Sequence, residues 1–497
     1  MMHKTILKYS LLLFIGLMIS SSISAQKMNN TLYLMQNVPQ SNQLNPAIQP
    51  ECKVFLGFPG LSSIYYNYAN NGFAYDDIIK NGTGIQSDSL VVDINSFHEA
   101  LQSTNTISNQ FEMTLFALGI RAKSLFFTLD ISTKMDSRIG FDKGLVSFLK
   151  DGNAAFLGRT ANLGAIGLDG TAYHEVALGI SKEINEKLTV GIKGKMLFGV
   201  ANMHMDESNL SVYTSESGDL VRLHSRQLMK VSMPLDIAQD SDGYVDDIDI
   251  LDDDMDETFF SGTNNKGFAF DLGATYEFNE KTTFYASILD IGGIKWNDTY
   301  ELYQDATFDW QGADWSQSGN SNDPNFREIE DVFDDLTDSI GDAFRYNDRS
   351  GSYTRALPCK VYLGGSYKLN DRVNVGAVSR TEIFNGKLRP SLSLSANTRV
   401  IRNFSASLSY SMVNNSYNNV GAGIAAKLGP FQIYAVSDNI LAMNPNTAKT
   451  ANLRFGVNMM FGCHKKTKKK DVCKIQEDLI LEHMEKVKEE TRKELRE

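Results

Sequence analysis

Along most of the chain, apolar side chains recur at every second position with small or polar residues between them. In the stretch 404–412, Phe404, Ala406, Leu408, Tyr410 and Met412 alternate with four serines. Phe268, Phe270, Leu272, Ala274 and Tyr276 alternate with Ala269, Asp271, Gly273 and Thr275. Successive side chains of a strand point to opposite faces, so this period predicts strands with one apolar and one polar face. The runs are ten to fifteen residues long, whereas ordinary strands have about 5–6. A strand crossing a bilayer at the usual tilt needs about 9–11, with lipid on its apolar side and a polar lumen on the other. The pattern therefore predicts an all-β protein, a transmembrane up-and-down antiparallel β-barrel.

Short polar or glycine-containing links divide the runs at Arg121–Ala122, Asn185–Glu186, Asn279–Glu280, Asn370–Asp371, Arg402–Asn403 and Gly429–Pro430. Threading strands between them gives starts near 54, 110, 123, 172, 187, 266, 282, 352, 372, 388, 403, 418, 431 and 451, about fourteen strands within a barrel of residues 53–462. Bacterial barrels keep short turns in the periplasm and long loops outside, so both termini are expected in the periplasm. The long outer segments are about 70–109, 136–171, 206–265 and 298–351, with Leu210–Val231 taken as loop.

The ends of the chain read differently. Residues 1–25 run from basic (Lys4, Lys8) through apolar (Leu11–Ile19) to small (Ser20–Ala25), the order of a secretory signal peptide. The expected address is the outer membrane, with its lipid around the wall. Residues 26–52 precede the first strand. Residues 463–497 form a tail, a lysine-rich run followed by a predicted periplasmic helix from about Asp471 with Ile480, Met484, Val487 and Leu495 on one stripe.

Charge changes the picture outside the barrel. The formal net charge is −12. Asp236–Glu257 holds eleven acidic residues and no Lys or Arg, and Asp298–Arg349 holds fourteen against three Arg. Acidity thus belongs to the outer loops, which with the tail helix are candidate surfaces for protein partners. Asp240, Asp242, Asp246 and Asp249 alternate around Gly243 and could supply oxygen ligands to Ca²⁺, although the spacing is not that of an EF-hand. No other cofactor is expected. The seven histidines make no metal-ligand spacing and no Ser–His–acid constellation can be placed, so the chain is read as no enzyme. The lysine run is too short for nucleic acid.

A barrel must pair its first strand with its last, because an open edge in lipid leaves backbone groups unpaired. Cys52 lies just before the first strand and Cys463 just after the last, at one rim, where strands stand about 4.8 Å apart. A Cys52–Cys463 bridge is the expectation, with Cys473 as the competing partner and Cys359 left free in a strand.

Gln43-Leu44-Asn45-Pro46-Ala47, just before the first strand, resembles the Asn-Pro-Ala motif of the long-chain fatty-acid transporter (FadL) type of outer-membrane barrel. The hairpin Val176–Lys195 resembles that group's strand–turn–strand phrase, and Leu44–Pro50 followed by Phe55–Gly60 is similar to FadL-like barrels of Bacteroidota. The resemblance covers roughly 45–462. It implies that Asn45, Pro46 and Ala47 belong to an N-terminal plug, and that the barrel passively transports or binds small hydrophobic molecules. The alternative it implies is a non-catalytic subunit or docking barrel of an outer-membrane secretion or assembly complex. The carboxylate-rich loops speak against an anionic lipid at the surface, since like charges repel.

Overall fold

The computed structural model describes residues 28–82, 89–164, 166–239, 241, 245–250, 264–310, 347–401, 403–413, 416–444, 446–463 and 484. Eighteen strands form one sheet in which every pairing is antiparallel and the first strands pair with the last. Four staves of this ring are each two strands laid end to end, which leaves fourteen. They are β1 (Val54–Gly57 and Ser63–Asn70), β2 (Thr104–Ala122), β3 (Leu125–Asp142), β4 (Arg159–Gly164 and Ile166–Glu183) and β5 (Leu188–Thr214). Next come β6 (Val221–Ser232 and Lys266–Glu277), β7 (Thr282–Trp310), β8 (Asn347–Ala356 and Cys359–Lys368), β9 (Val373–Phe384) and β10 (Lys387–Ile401). The ring closes through β11 (Phe404–Val413), β12 (Ser416–Leu428), β13 (Phe431–Ser437) and β14 (Thr450–Phe461).

The alternation in the sequence becomes the two faces of the wall. On β11, Leu408 is 58% exposed on the outer face while Ser407, Ser409 and Ser411 are buried inside. Leu178, Ile192, Phe268, Leu363, Leu394, Ile424, Ile433 and Leu453 continue the exposed apolar belt around the ring. Tyr276, Phe278, Phe284, Tyr367, Phe431 and Phe461 are exposed near the rim of the short links, where aromatic rings suit the bilayer interface. An apolar exterior around a polar interior is stable in lipid and unstable in water, so this is a membrane-spanning barrel. None of the described helices is long and apolar enough to cross a membrane.

The wall is uneven, and here the structure corrects the sequence reading. The stretch Leu210–Val231 is not a loop: β5 runs 27 residues to Thr214 and its partner strand begins at Val221. The other long segments are also partly strand, since β3 reaches Asp142, β7 has 29 residues and β8 begins at Asn347. Beyond the bilayer no lipid faces the strand: one face meets water, while the other packs on small local clusters such as Val212 with Ala161 and Leu163, and Val231 with Leu302. The chain keeps its hydrogen-bond ladder there but loses apolar alternation. Cross-strand charges line its exposed face: Arg222 binds Asp309, Arg226 binds Glu207, and Lys230 binds Asp206. The ladder, which leaves no periodic mark in the residue types, decides the strand.

β6 is one stave cut in two. Its upper half pairs with Asn202–Thr214 and with Tyr300–Trp310, its lower half with Leu188–Phe198 and with Thr283–Lys295. Between them lies an excursion that includes the hairpin Leu235–Gln239 with Val245–Ile250.

Residues 1–25, expected to be a signal peptide, the expected tail helix apart from Met484, and Cys473 lie outside the described residues, as do Asp240 and Asp242. Asp246 and Asp249 fall on the hairpin strand Val245–Ile250.

Candidate functional site

The barrel interior is filled from below by the chain's own N-terminal segment. Residues 28–50 are buried almost throughout, and their partners lie all around the ring. Asn30 donates to Ser391 and Ser393 on β10. Thr31 meets Ser409 on β11 and Asp438 beyond β13. The Tyr33 ring stacks on Tyr362 of β8 at 4.8 Å. Gln40 reaches Asn458 of β14, and Gln49 reaches Ser181 of β4. A segment that touches opposite walls of a closed ring runs through its lumen. The carbonyl of its first described residue, Met28, accepts from Tyr65, and the segment leaves at the rim of short links, where Glu51 pairs with Arg399.

Two kinds of contact fix it. Leu32, Tyr33, Leu34, Met35, Val38 and Leu44 form an apolar core with inward-facing Tyr285, Leu289, Tyr362, Val378, Tyr434 and Val436. Such burial contributes roughly 25 cal/mol per Å² of apolar surface. The Asn45–Ala47 motif supplies the polar fixing. Asn45 Oδ1 accepts from the Ala47 amide at 3.0 Å, an Asx turn. Its Nδ2 donates to the Tyr33 hydroxyl and to the carbonyls of Ala274 and Ala286, on β6 and β7. Where the motif meets the wall, the wall has no side chain. A Cβ at Gly191 would stand 2.4 Å from the Pro46 carbonyl, and one at Gly273 would stand 2.2 Å from Asn45 Oδ1. Glycine inside a strand here permits the close approach of another backbone.

Above this segment lies a chamber of about 50 Å³ lined by charges. Lys195 on β5 pairs with Asp271 at 2.8 Å and Asp290 at 2.5 Å, and Lys360 pairs with Asp290 at 2.7 Å. Asp290 has φ 61 and sits at a bulge opposite Phe270–Leu272. A bulge can re-aim a side chain, and this one places Asp290 inside directly after inward Leu289. Lys193 pairs with Asp130, Lys134 with Glu175, and Arg454 with Glu112.

Higher still, ion pairs cross the lumen. Arg138 of β3 binds Glu382 of β9 at 2.7 Å, six staves away in a ring of fourteen. Glu382 also meets Arg380 at 2.8 Å and Arg389 at 3.4 Å. Arg355 of β8 binds Asp169 of β4. The lumen is thus filled by the N-terminal segment and braced across by these ties. Alternation marks a residue such as Asp271 as lumen-facing. It missed the cluster, because which staves face one another across a ring has no local signal.

Cys52 and Cys463 form a disulfide joining residues 411 apart at the short-link rim, and Cys359 is a free thiol on β8. Peptide mapping of the unreduced protein should therefore give one Cys52–Cys463 crosslink. A free Cys52, or a Cys463–Cys473 crosslink, would contradict the placement of the seam. Among the described residues no group of three or more His, Cys, Asp or Glu could hold a metal ion.

A closed fourteen-stave barrel with a chain-derived segment through its lumen is a plugged-barrel architecture. The chain belongs to DUF5723, a family of unknown function, which matches residues 46–438. No curated protein matches it. Solved structures similar to it include the Pseudomonas putida toluene transporter TodX (10% identity, 88% of this chain and 94% of that one, TM-score 0.37). Others are a Pseudomonas aeruginosa FadL homologue (11%, 89% and 100%, TM-score 0.39) and the CymD monoaromatic hydrocarbon channel (10%, 89% and 95%, TM-score 0.38).

Proposed function

We propose that the chain is a non-enzymatic, passive channel of the outer membrane for small hydrophobic molecules that carry a polar group, held shut at rest by residues 28–51. The observation that supports this reading is the lumen-threading segment. A purely structural wall has no use for a polypeptide that enters its own pore and rests on glycines. The polar group follows from the chamber, whose lining of paired Lys, Arg, Asp and Glu disfavours an unsubstituted hydrocarbon. A cavity of about 50 Å³ has room for a few waters, so passage requires the segment to move.

One observation favours the second reading, a docking subunit of an outer-membrane complex. β5, β6 and β7 rise as a salt-bridged sheet beyond the span a bilayer needs, offering partners an outside surface. Isolation in mild detergent and uptake by reconstituted vesicles separate the two. A lone barrel that speeds entry of a labelled aromatic alcohol supports the channel. A stoichiometric protein partner with no uptake supports docking.

A further inference from the structure

We infer that the outer face of the wall binds the phosphate of an anionic lipid headgroup, through Lys266 of β6 and Lys295 of β7 at the loop-side edge of the apolar belt. This inference stands apart from the channel reading. The two lysines are direct cross-strand partners, and both are exposed. They lie on the lipid face. Phe268 and Phe270 follow Lys266 at every second position and are exposed, while Ile294 and Trp296 on either side of Lys295 are buried in the lumen.

The strands set their height. Lys266 stands ten residues from Tyr276 and Lys295 eleven from Phe284, and both aromatics mark the rim of short links. About ten residues of strand at the usual tilt rise roughly 25 Å, the height of the apolar band of such barrels. The lysines therefore meet the headgroups of the loop-side leaflet, with Phe268 against the acyl chains below.

Like charges directly opposite one another destabilise a strand pair. Elsewhere on the exterior of β6 the cations face carboxylates, Arg222 with Asp309 and Arg226 with Glu207. Lys266 and Lys295 have no carboxylate partner among the described residues. A lipid phosphate supplies the missing anion and accepts charge-assisted hydrogen bonds from both ammoniums. Thr354, exposed opposite Lys295 on β8, adds a hydroxyl donor. One row below, Gly293 and Ala356 continue from Phe268 across the strands. Their small side chains leave room beside the ring for an acyl chain. A place at the edge of the hydrocarbon selects a lipid over a soluble anion.

The test is native mass spectrometry of the delipidated full chain in detergent, titrated separately with phosphatidylglycerol and with phosphatidylcholine, whose choline offsets the phosphate charge. A saturable phosphatidylglycerol adduct is expected, with phosphatidylcholine roughly tenfold weaker. Lys266→Gln and Lys295→Gln should each weaken it about fivefold, the scale of one basic side chain at an anionic lipid surface. Lys266→Arg keeps the charge and should bind as the parent does. Arg222→Gln, at a cation already paired with Asp309, should leave the affinity unchanged. Heat-dependent gel mobility shows that each variant is folded. Absence of a saturable adduct, equal affinity for the two lipids, or unchanged affinity when both lysines are replaced by Gln overturns the site.

Discussion

Glu382→Gln is expected to cost the folded barrel about 3–5 kcal/mol, as removing one member of a buried ion pair typically does. The Glu382 side chain is 1% exposed and faces Arg138, Arg380 and Arg389. Without its charge, three guanidiniums remain together inside the lumen, and the tie between β3 and β9 is lost. The loss reads out as a lower urea midpoint in lipid vesicles. Asp309→Asn, which breaks the exposed pair with Arg222, is the control, because solvent screens such pairs. Equal midpoints for the two variants would mean that the cross-lumen tie carries no stability.

Gly191→Val should have the larger effect on gating. The new Cβ would start 2.4 Å from the Pro46 carbonyl carbon, against backbone that cannot rotate away. Either the strand shifts, at about 1–3 kcal/mol for an overpacked site, or the Asn45–Ala47 turn leaves the wall. Leaving also breaks the Asn45 bonds to the carbonyls of β6 and β7. The expected result is a barrel that still assembles, with frequent openings in a planar bilayer. Gly194→Val, on the same strand at a position where no atom lies near the added Cβ, should remain closed. Equal closure of both variants would detach the motif from gating.

The fourteen staves were legible in the sequence because lipid imposes a strict rule on the outer face. Phe404 to Met412 could not alternate so cleanly for any lesser reason. Where that rule lapses, legibility lapses with it. The upper parts of β5, β6 and β7 have water on one face and mixed polar and apolar packing on the other, where Val212 and Val231 are buried beside Thr214 and Ser225, and Leu210–Val231 accordingly read as loop. Asn45, Pro46 and Ala47 were legible through a resemblance, and Cys52 with Cys463 through ring closure. Glu382 and its three arginines were not. Arg380 and Glu382 sit two apart on one strand and mark only an inward face. Their partner Arg138 lies 244 residues away, brought near by a closure that no local pattern encodes. Gly191 and Gly273 were visible as strand glycines, but what they make room for is known only once Asn45 and Pro46 are seen against them.

The central claim is that the N-terminal segment occupies the lumen and closes it. Deleting residues 30–47 removes the aromatic core contact of Tyr33 and the Asn45 turn while sparing Cys52 and residues 1–25. Single-channel recording of this variant in a planar bilayer is the direct test. The account predicts discrete conductance steps in the variant where the full chain stays closed. A correctly assembled variant as silent as the full chain would contradict it.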